Sequence, residues 1–254
     1  MALLLRGHVR DAFQNDNMRH FVQLMQQDDR LSVDVYVQTW NHNEAPANCS
    51  WRSLHYDRTP VTDEMVHGYL RGASRVRVMP EDGISLVGSV EGRVGGTSKR
   101  GWKQMWLGIY TMVDAICEAG VSYDAVLSLR FDFFGSYVSG RHRSDYGVDA
   151  TPEYVREWAV ASARTGRICF LNDHPSLGID NCYIGPPTSI HRLCFMFHTD
   201  LDATCDRVGH EWNQERMVYK LGMMINADPN GHVPTTHAGE SQIDPPASIV
   251  RPDG

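Results

Sequence analysis

The segment Tyr123–Leu129 reads as a continuous apolar strand, and it constrains the chain more than any other stretch. A strand with no polar alternation has both faces covered, which is the pattern of the middle of a parallel sheet. Two further segments fit beside it: Ala2–Leu5, short and apolar, and Val33–Gln38, β-branched and alternating. Between them lie helical patterns. A helix is predicted from about Asp11 to Asp28, with Phe13, Phe21, Val22, Leu24 and Met25 inward. Thr62 caps another, ending near Leu70, and Arg75–Met79 is a third strand stopped by Pro80. Trp102–Ala119 gives the clearest helical period, with Trp102, Met105, Trp106, Ile109, Met112, Val113 and Ile116 on one face. Strands alternating with helices predict a three-layer α/β domain on a mainly parallel sheet.

The rest of the chain is less regular. Glu81–Gly101 carries six glycines and no steady period, so a mobile loop is expected there. After Phe133 comes a polar loop, then a helix opened by Thr151-Pro152-Glu153 with proline in its first turn. Ile168–Leu171 and Cys182–Ile184 read as strands, and Pro187–His198 and Glu211–Met224 as helices. The Pro, Gly and Asn content from 226 to 254 predicts an extended or disordered arm, leaving 1–225 as a single domain.

The 254 residues, 42% hydrophobic and 22% charged, are those of an ordinary globular protein. A net charge of −7 argues against a general nucleic-acid binder. No run approaches the length of a membrane span, and the start at Met1–Arg6 lacks a basic leader region. Six cysteines form no Cys-x-x-Cys pair, and the twelve histidines show no ligand spacing. Reduced thiols and a cytoplasmic setting are the expectation.

In parallel sheets ligands gather outside the carboxyl ends of strands. Three such ends are polar here: Arg6–Arg10, Gln38–Asn41 and Arg130–Asp132. Arg130 and Asp132, two apart beyond a strand, project to one side. Asp132 suits a divalent metal and Arg130 a phosphate, while an Arg–Asp salt bridge closing the strand fits equally well. Gly7 permits a tight strand-to-helix turn, and a following helix N-terminus would favour phosphate; solvated arginines in a turn are the plainer alternative. Trp40 and Trp51 are candidates for stacking on a sugar or base, or for core packing. Asp180 is either a general base near an acceptor hydroxyl or a capping residue, and Asp173-His174 lies just before it. Glu215 is an acceptor-side candidate, or part of a solvated helix face.

Taken in order, Leu5–Arg10, Asp34–Trp40, Lys103-Gln104-Met105-Trp106, Tyr123–Asp132, Asp180–Gly185 and Glu211–Glu215 resemble the motif series of glycosyltransferases of capsule, lipopolysaccharide and large-virus glycan synthesis. The resemblance spans about residues 2–222. It implies a Rossmann-like GT-A fold, a nucleotide-sugar donor, a glycan acceptor, and Mn²⁺ or Mg²⁺ at Asp132. By the same resemblance Arg6, Gly7, His8, Arg10, Thr39, Trp40, Lys103, Gln104, Arg130 and Asp132 would hold the donor, with Asp180 and Asp132 catalytic. One departure stands out: the Asp-x-Asp metal motif is absent, because position 130 is Arg. The leaving diphosphate is then balanced either by a metal or by Arg6, Arg10, Lys99, Lys103 and Arg130. The alternatives are a non-catalytic nucleotide-sugar or glycan-binding module, and another phosphate-handling enzyme such as a phosphatase or sulfotransferase. The Arg-Gly-His order at 6–8 differs from the Arg-His-Gly of histidine phosphatases, and the turn lacks a sulfotransferase phosphate loop.

Overall fold

Apolar strands that need cover on both faces find it here between two helical layers. The computed structural model describes residues 1–44, 57–139, 141–144, 149–170, 179–209, 211 and 213–228. The chain begins with β1 (Ala2–Arg6), a 3-10 turn (Ala12–Gln14), α1 (Asn17–Gln27), β2 (Asp34–Trp40), α2 (Asp63–Tyr69) and β3 (Arg75–Met79). A hairpin of β4 (Arg93–Val94) and β5 (Thr97–Ser98) leads into α3 (Lys99–Cys117) and β6 (Val126–Arg130). Then come β7 (Phe134–Val138), β8 (Arg141–Ser144), β9 (Asp149–Ala150), α4 (Pro152–Thr165), β10 (Cys169–Phe170) and β11 (Cys182–Gly185). Three helices, α5 (Pro187–Thr199), α6 (Leu201–Val208) and α7 (Gln214–Ala227), complete the described chain.

The central sheet has six strands in the order β10-β11-β6-β1-β2-β3. β6, β1, β2 and β3 run parallel, and β11 joins β6 antiparallel with β10 antiparallel beyond it. β1 is central and buried throughout. Ala2 and Leu4 face one core, with Trp102, Trp106, Ile109 and Ile116 of α3, Leu193 and Phe197 of α5, and Val218 and Leu221 of α7. Leu3 and Leu5 face the other, with Met18 and Phe21 of α1, Val66 and Tyr69 of α2, and Val155 of α4. Each apolar side chain removed from water contributes about 1.5–3 kcal/mol, so the alternation along β1 ties both helical layers to one strand.

Several expectations are revised. The helix placed at Asp11 begins at Asn17, because the Asn15 side chain accepts from the Asn17 N–H at 3.0 Å and turns the chain there. A three-residue 3-10 turn takes the place of the expected first helical turns. The strand begins at Val126, after Tyr123, whose hydroxyl donates to Asp34 at 2.8 Å and accepts from Tyr36 at 2.9 Å. Within the glycine-rich stretch 81–101, four residues pair as the β4–β5 hairpin, and α3 starts at Lys99 with Ser98 as its cap. The polar stretch after Phe133 contains the antiparallel strands β7–β9, and α6 was not foreseen. Nor is 226 the start of an arm: α7 runs to Ala227, and buried Asn226 exchanges two hydrogen bonds with the Ile168 backbone at 2.7 and 2.9 Å. Residues 229–254, Trp51, Asp173-His174 and Trp212 lie outside the described residues.

Candidate functional site

From β1 the chain moves outward through β2 to β3, then returns to pair β6 on the other side of β1. The boundary between β1 and β6 is therefore the topological switch point, where connections diverge and where ligands of open α/β sheets bind, outside the strand ends. The register places Arg6 beside Arg130 on one flank and beside Gln38 on the other. Antiparallel β11 brings its first end, Asp180-Asn181, to the same edge. The polar tips that sequence order separates are thus side by side.

Asp132 sits at the centre of this edge. Arg130 grips it with two nitrogens, at 2.9 and 2.6 Å, and the Arg10 guanidinium binds it from the β1 side. The third nitrogen of Arg130 donates to the Asn181 side chain at 2.7 Å, and Glu44 stands 3.8 Å from Arg10. Burial alone would raise the Asp132 pKa, but the two guanidiniums override it and hold the carboxyl well below its ordinary range. Gly7 has φ +87° and Arg10 φ +49°, so the turn after β1 is left-handed at two places. Arg10 carries a side chain in a region that glycine favours, and its ion pair with Asp132 offsets that cost.

The expected donor residues separate into two groups. Arg6 is spent below the edge: it donates to Ser128 Oγ at 2.7 Å and to the Asp180 carbonyl, and its guanidinium lies over the Tyr183 ring. Thr39 and Trp40 are buried. Lys103 is buried with its amine on the Val87 carbonyl, and Lys99 pairs with Asp202 of α6. Burial lowers the Lys103 pKa, assisted by the charge of Lys99. Gln104 is also buried, its amide donating to the Glu81 carbonyl at 3.2 Å. Of the five cations named for a diphosphate, Arg10 and Arg130 are the two at the rim, 14% and 19% exposed as side chains. Asp180 lies at the edge in a buried position beside Arg6. Glu215 is in the first turn of α7, next to Gln214, which binds the β4–β5 hairpin through the Gly96 N–H.

A divalent cation does not fit at Asp132. Both its oxygens accept from guanidiniums, whose positive charges would repel a metal. Among the described residues no cluster of three His, Cys, Asp or Glu side chains has ligand geometry. The short helix-start after Gly7 is likewise a 3-10 turn and supplies no helix N-terminus for phosphate.

The β3 tip adds a group that the sequence reading left in a loop. Glu81 follows Met79-Pro80 and is 5% exposed. Its N–H donates to the Asn41 side chain at 2.9 Å, so β2 fixes its backbone from one side while Gln104 of α3 fixes it from the other. Its carboxylate lies 3.2 Å from His8 Nε2 and 3.7 Å from His42 Nδ1. The signal was present: an acidic residue directly after a strand is the same pattern that singled out Asp132.

No protein-family model matches the chain, and no curated protein matches it. Cavities of about 290 Å³, between α1 and α2, and about 660 Å³, between α1 and α4, lie away from the strand tips. The chain enters 45–56 from Glu44 and returns at Asp57, both at this edge, and 171–178 leads into Ile179 beside Asp180. Among the described residues no helix is long and apolar enough to cross a membrane.

Proposed function

We propose that the chain is a nucleotide-sugar-dependent glycosyltransferase of GT-A-like architecture, whose diphosphate site is the β1/β6 crevice. The observation that carries this reading is the pair Arg10 and Arg130 on Asp132 at the topological switch point. Two guanidiniums at a crevice rim match the oxygens of a diphosphate in geometry and charge. Asp132 orients them and keeps them from repelling each other before a ligand arrives. As the bond from the anomeric carbon to the diphosphate breaks, negative charge grows on the leaving oxygen, and the preorganised guanidiniums stabilise it. This is the metal-free solution to the charge problem, in keeping with Arg in place of the first Asp of an Asp-x-Asp motif. A glycan hydroxyl is the acceptor. The reading keeps a cytoplasmic setting as part of the proposal.

Titration calorimetry with UDP, GDP and dTDP in EDTA tests the site. At least one nucleoside diphosphate binds without metal, and Arg130→Ala weakens it tenfold or more. Failure of all three to bind, or equal affinity in Arg130→Ala, overturns the reading. Binding without turnover on any sugar acceptor would leave a binding module.

A further inference from the structure

We infer that His8, oriented by Glu81, is the general base of this site, an inference that rests on the glycosyltransferase reading. His8 lies in the turn directly after β1, two residues from Arg10. Its Nε2 faces the Glu81 carboxylate at 3.2 Å, which makes Nε2 the proton-bearing nitrogen and leaves the lone pair on Nδ1. Among the described residues Nδ1 makes no hydrogen bond. The ring lies over Trp40, with centroids 6.0 Å apart and planes 27° apart, so it cannot rotate without losing that contact. A buried carboxylate, a histidine held in one tautomer and an Nδ1 without a hydrogen bond among the described residues, two positions from Arg10 in the same turn, form a base with its orienter.

Glu81 is a positioning residue. Its Oε2 is buried without a hydrogen bond, with the similarly unbonded His42 Nδ1 at 3.7 Å. The backbone anchors to Asn41 and Gln104 hold it there in spite of that desolvation. In the reaction the acceptor oxygen bonds to the anomeric carbon as its proton passes to His8 Nδ1. The bond from that carbon to the diphosphate oxygen breaks, and the bonding pair leaves with the nucleoside diphosphate towards Arg10 and Arg130. Burial sets His8 below the ordinary imidazole range, Glu81 opposes this, and Arg10 and Arg130 reinforce it. Among the described residues the further charged or titratable groups on this side are Asp132, paired to those arginines, Glu44 beside Arg10, and His42 beyond Glu81. A neutral base at physiological pH follows.

The test uses the full chain, a panel of UDP-, GDP- and dTDP-sugars with mixed mono- and oligosaccharide acceptors, and released nucleoside diphosphate as the readout. His8→Gln keeps a donor towards Glu81 but has no base; it lowers kcat a hundredfold or more while nucleotide affinity stays within twofold. Glu81→Gln moves the acid limb of the kcat/KM profile to lower pH, and Glu81→Asp restores part of the shift; a purely structural loss would move neither limb. Nitrogen NMR of His8 shows the Nε2–H tautomer in the wild type. A protonated Nδ1 in the neutral ring, or undiminished transfer by His8→Gln, overturns the base assignment and leaves the diphosphate site standing. Loss of transfer in Asp180→Asn with His8→Gln unimpaired returns the role to Asp180. Absence of any nucleotide binding by the wild type removes the transfer reaction and this role with it.

Discussion

Asp132 holds two guanidiniums at once, and its side chain is only 10% exposed. Removing one member of so buried a group leaves the others desolvated and unpaired, which costs more than the pair contributes when intact. Asp132→Asn therefore destabilises the fold by about 3 kcal/mol, the low end of the range for broken buried pairs, because the amide retains one acceptor oxygen. A urea-unfolding midpoint equal to the wild type would show that the arginines do not depend on this carboxylate. Both sequence readings of Asp132, ligand anchor and salt bridge, share this residue type and spacing; what separated them was Arg10, 122 positions away, which no local pattern links to it. Arg6 shows the reverse: it reads as a phosphate contact, but its pairing with Ser128 and Asp180 depends on register between strands and buries it.

Gly108 of α3 is placed by a close approach between elements. A Cβ there would lie 2.7 Å from the Gln38 amide, and Gln38 is buried with its oxygen facing the Gly7 N–H at 3.4 Å. Gly108→Ala gains up to about 1 kcal/mol of helix propensity but overpacks the α3–β2 contact by about 1–3 kcal/mol, so the net effect is a loss near 1 kcal/mol. Gly68 in α2 has open space around it and no left-handed backbone, so Gly68→Ala stabilises by about 0.5 kcal/mol. Chemical denaturation of the two variants should give shifts of opposite sign; a stabilised Gly108→Ala would mean that α3 stands off the sheet. The elements themselves were largely legible, because α3, β1, β2 and β3 carry strong periods or apolar runs and α2 and α4 have threonine caps. The short strands β4, β5 and β7–β9 were not, since pieces of two to five residues held by cross-strand partners leave no period to read. The antiparallel sense of β11 was hidden for a similar reason: strand direction belongs to the connection, while the residues record only burial.

At the scale of the whole molecule, acid should loosen the fold well before its carboxylates protonate. Burial depresses three histidines: His8 at the strand tips, His198 at the end of α5, and His142 of β8, which falls to about 4. His142 packs on the rings of Phe21 and Phe134 and beside His20, joining the small β7–β9 sheet to α1. In the unfolded chain each would titrate near 6.5, so between that value and the folded one the unfolded state binds more protons. The histidine contribution is therefore level above about pH 6.5 and declines as the pH drops below it, for His142 until about pH 4, while the partly buried N-terminal amine, lowered from 8.0, begins its own decline at higher pH. Asp132 works in a separate window: its folded value lies below the ordinary 3.8, so its contribution is complete above that pH and is lost only in stronger acid. The share of the decline that a histidine substitution removes thus reports that histidine. Urea midpoints should be lower at pH 5 than at pH 7.5, and His142→Leu should flatten the difference by supplying an apolar group that takes no proton. Equal midpoints at the two pH values would mean that these rings meet water in the folded state, and the join between the small sheet and α1 would then be open to solvent.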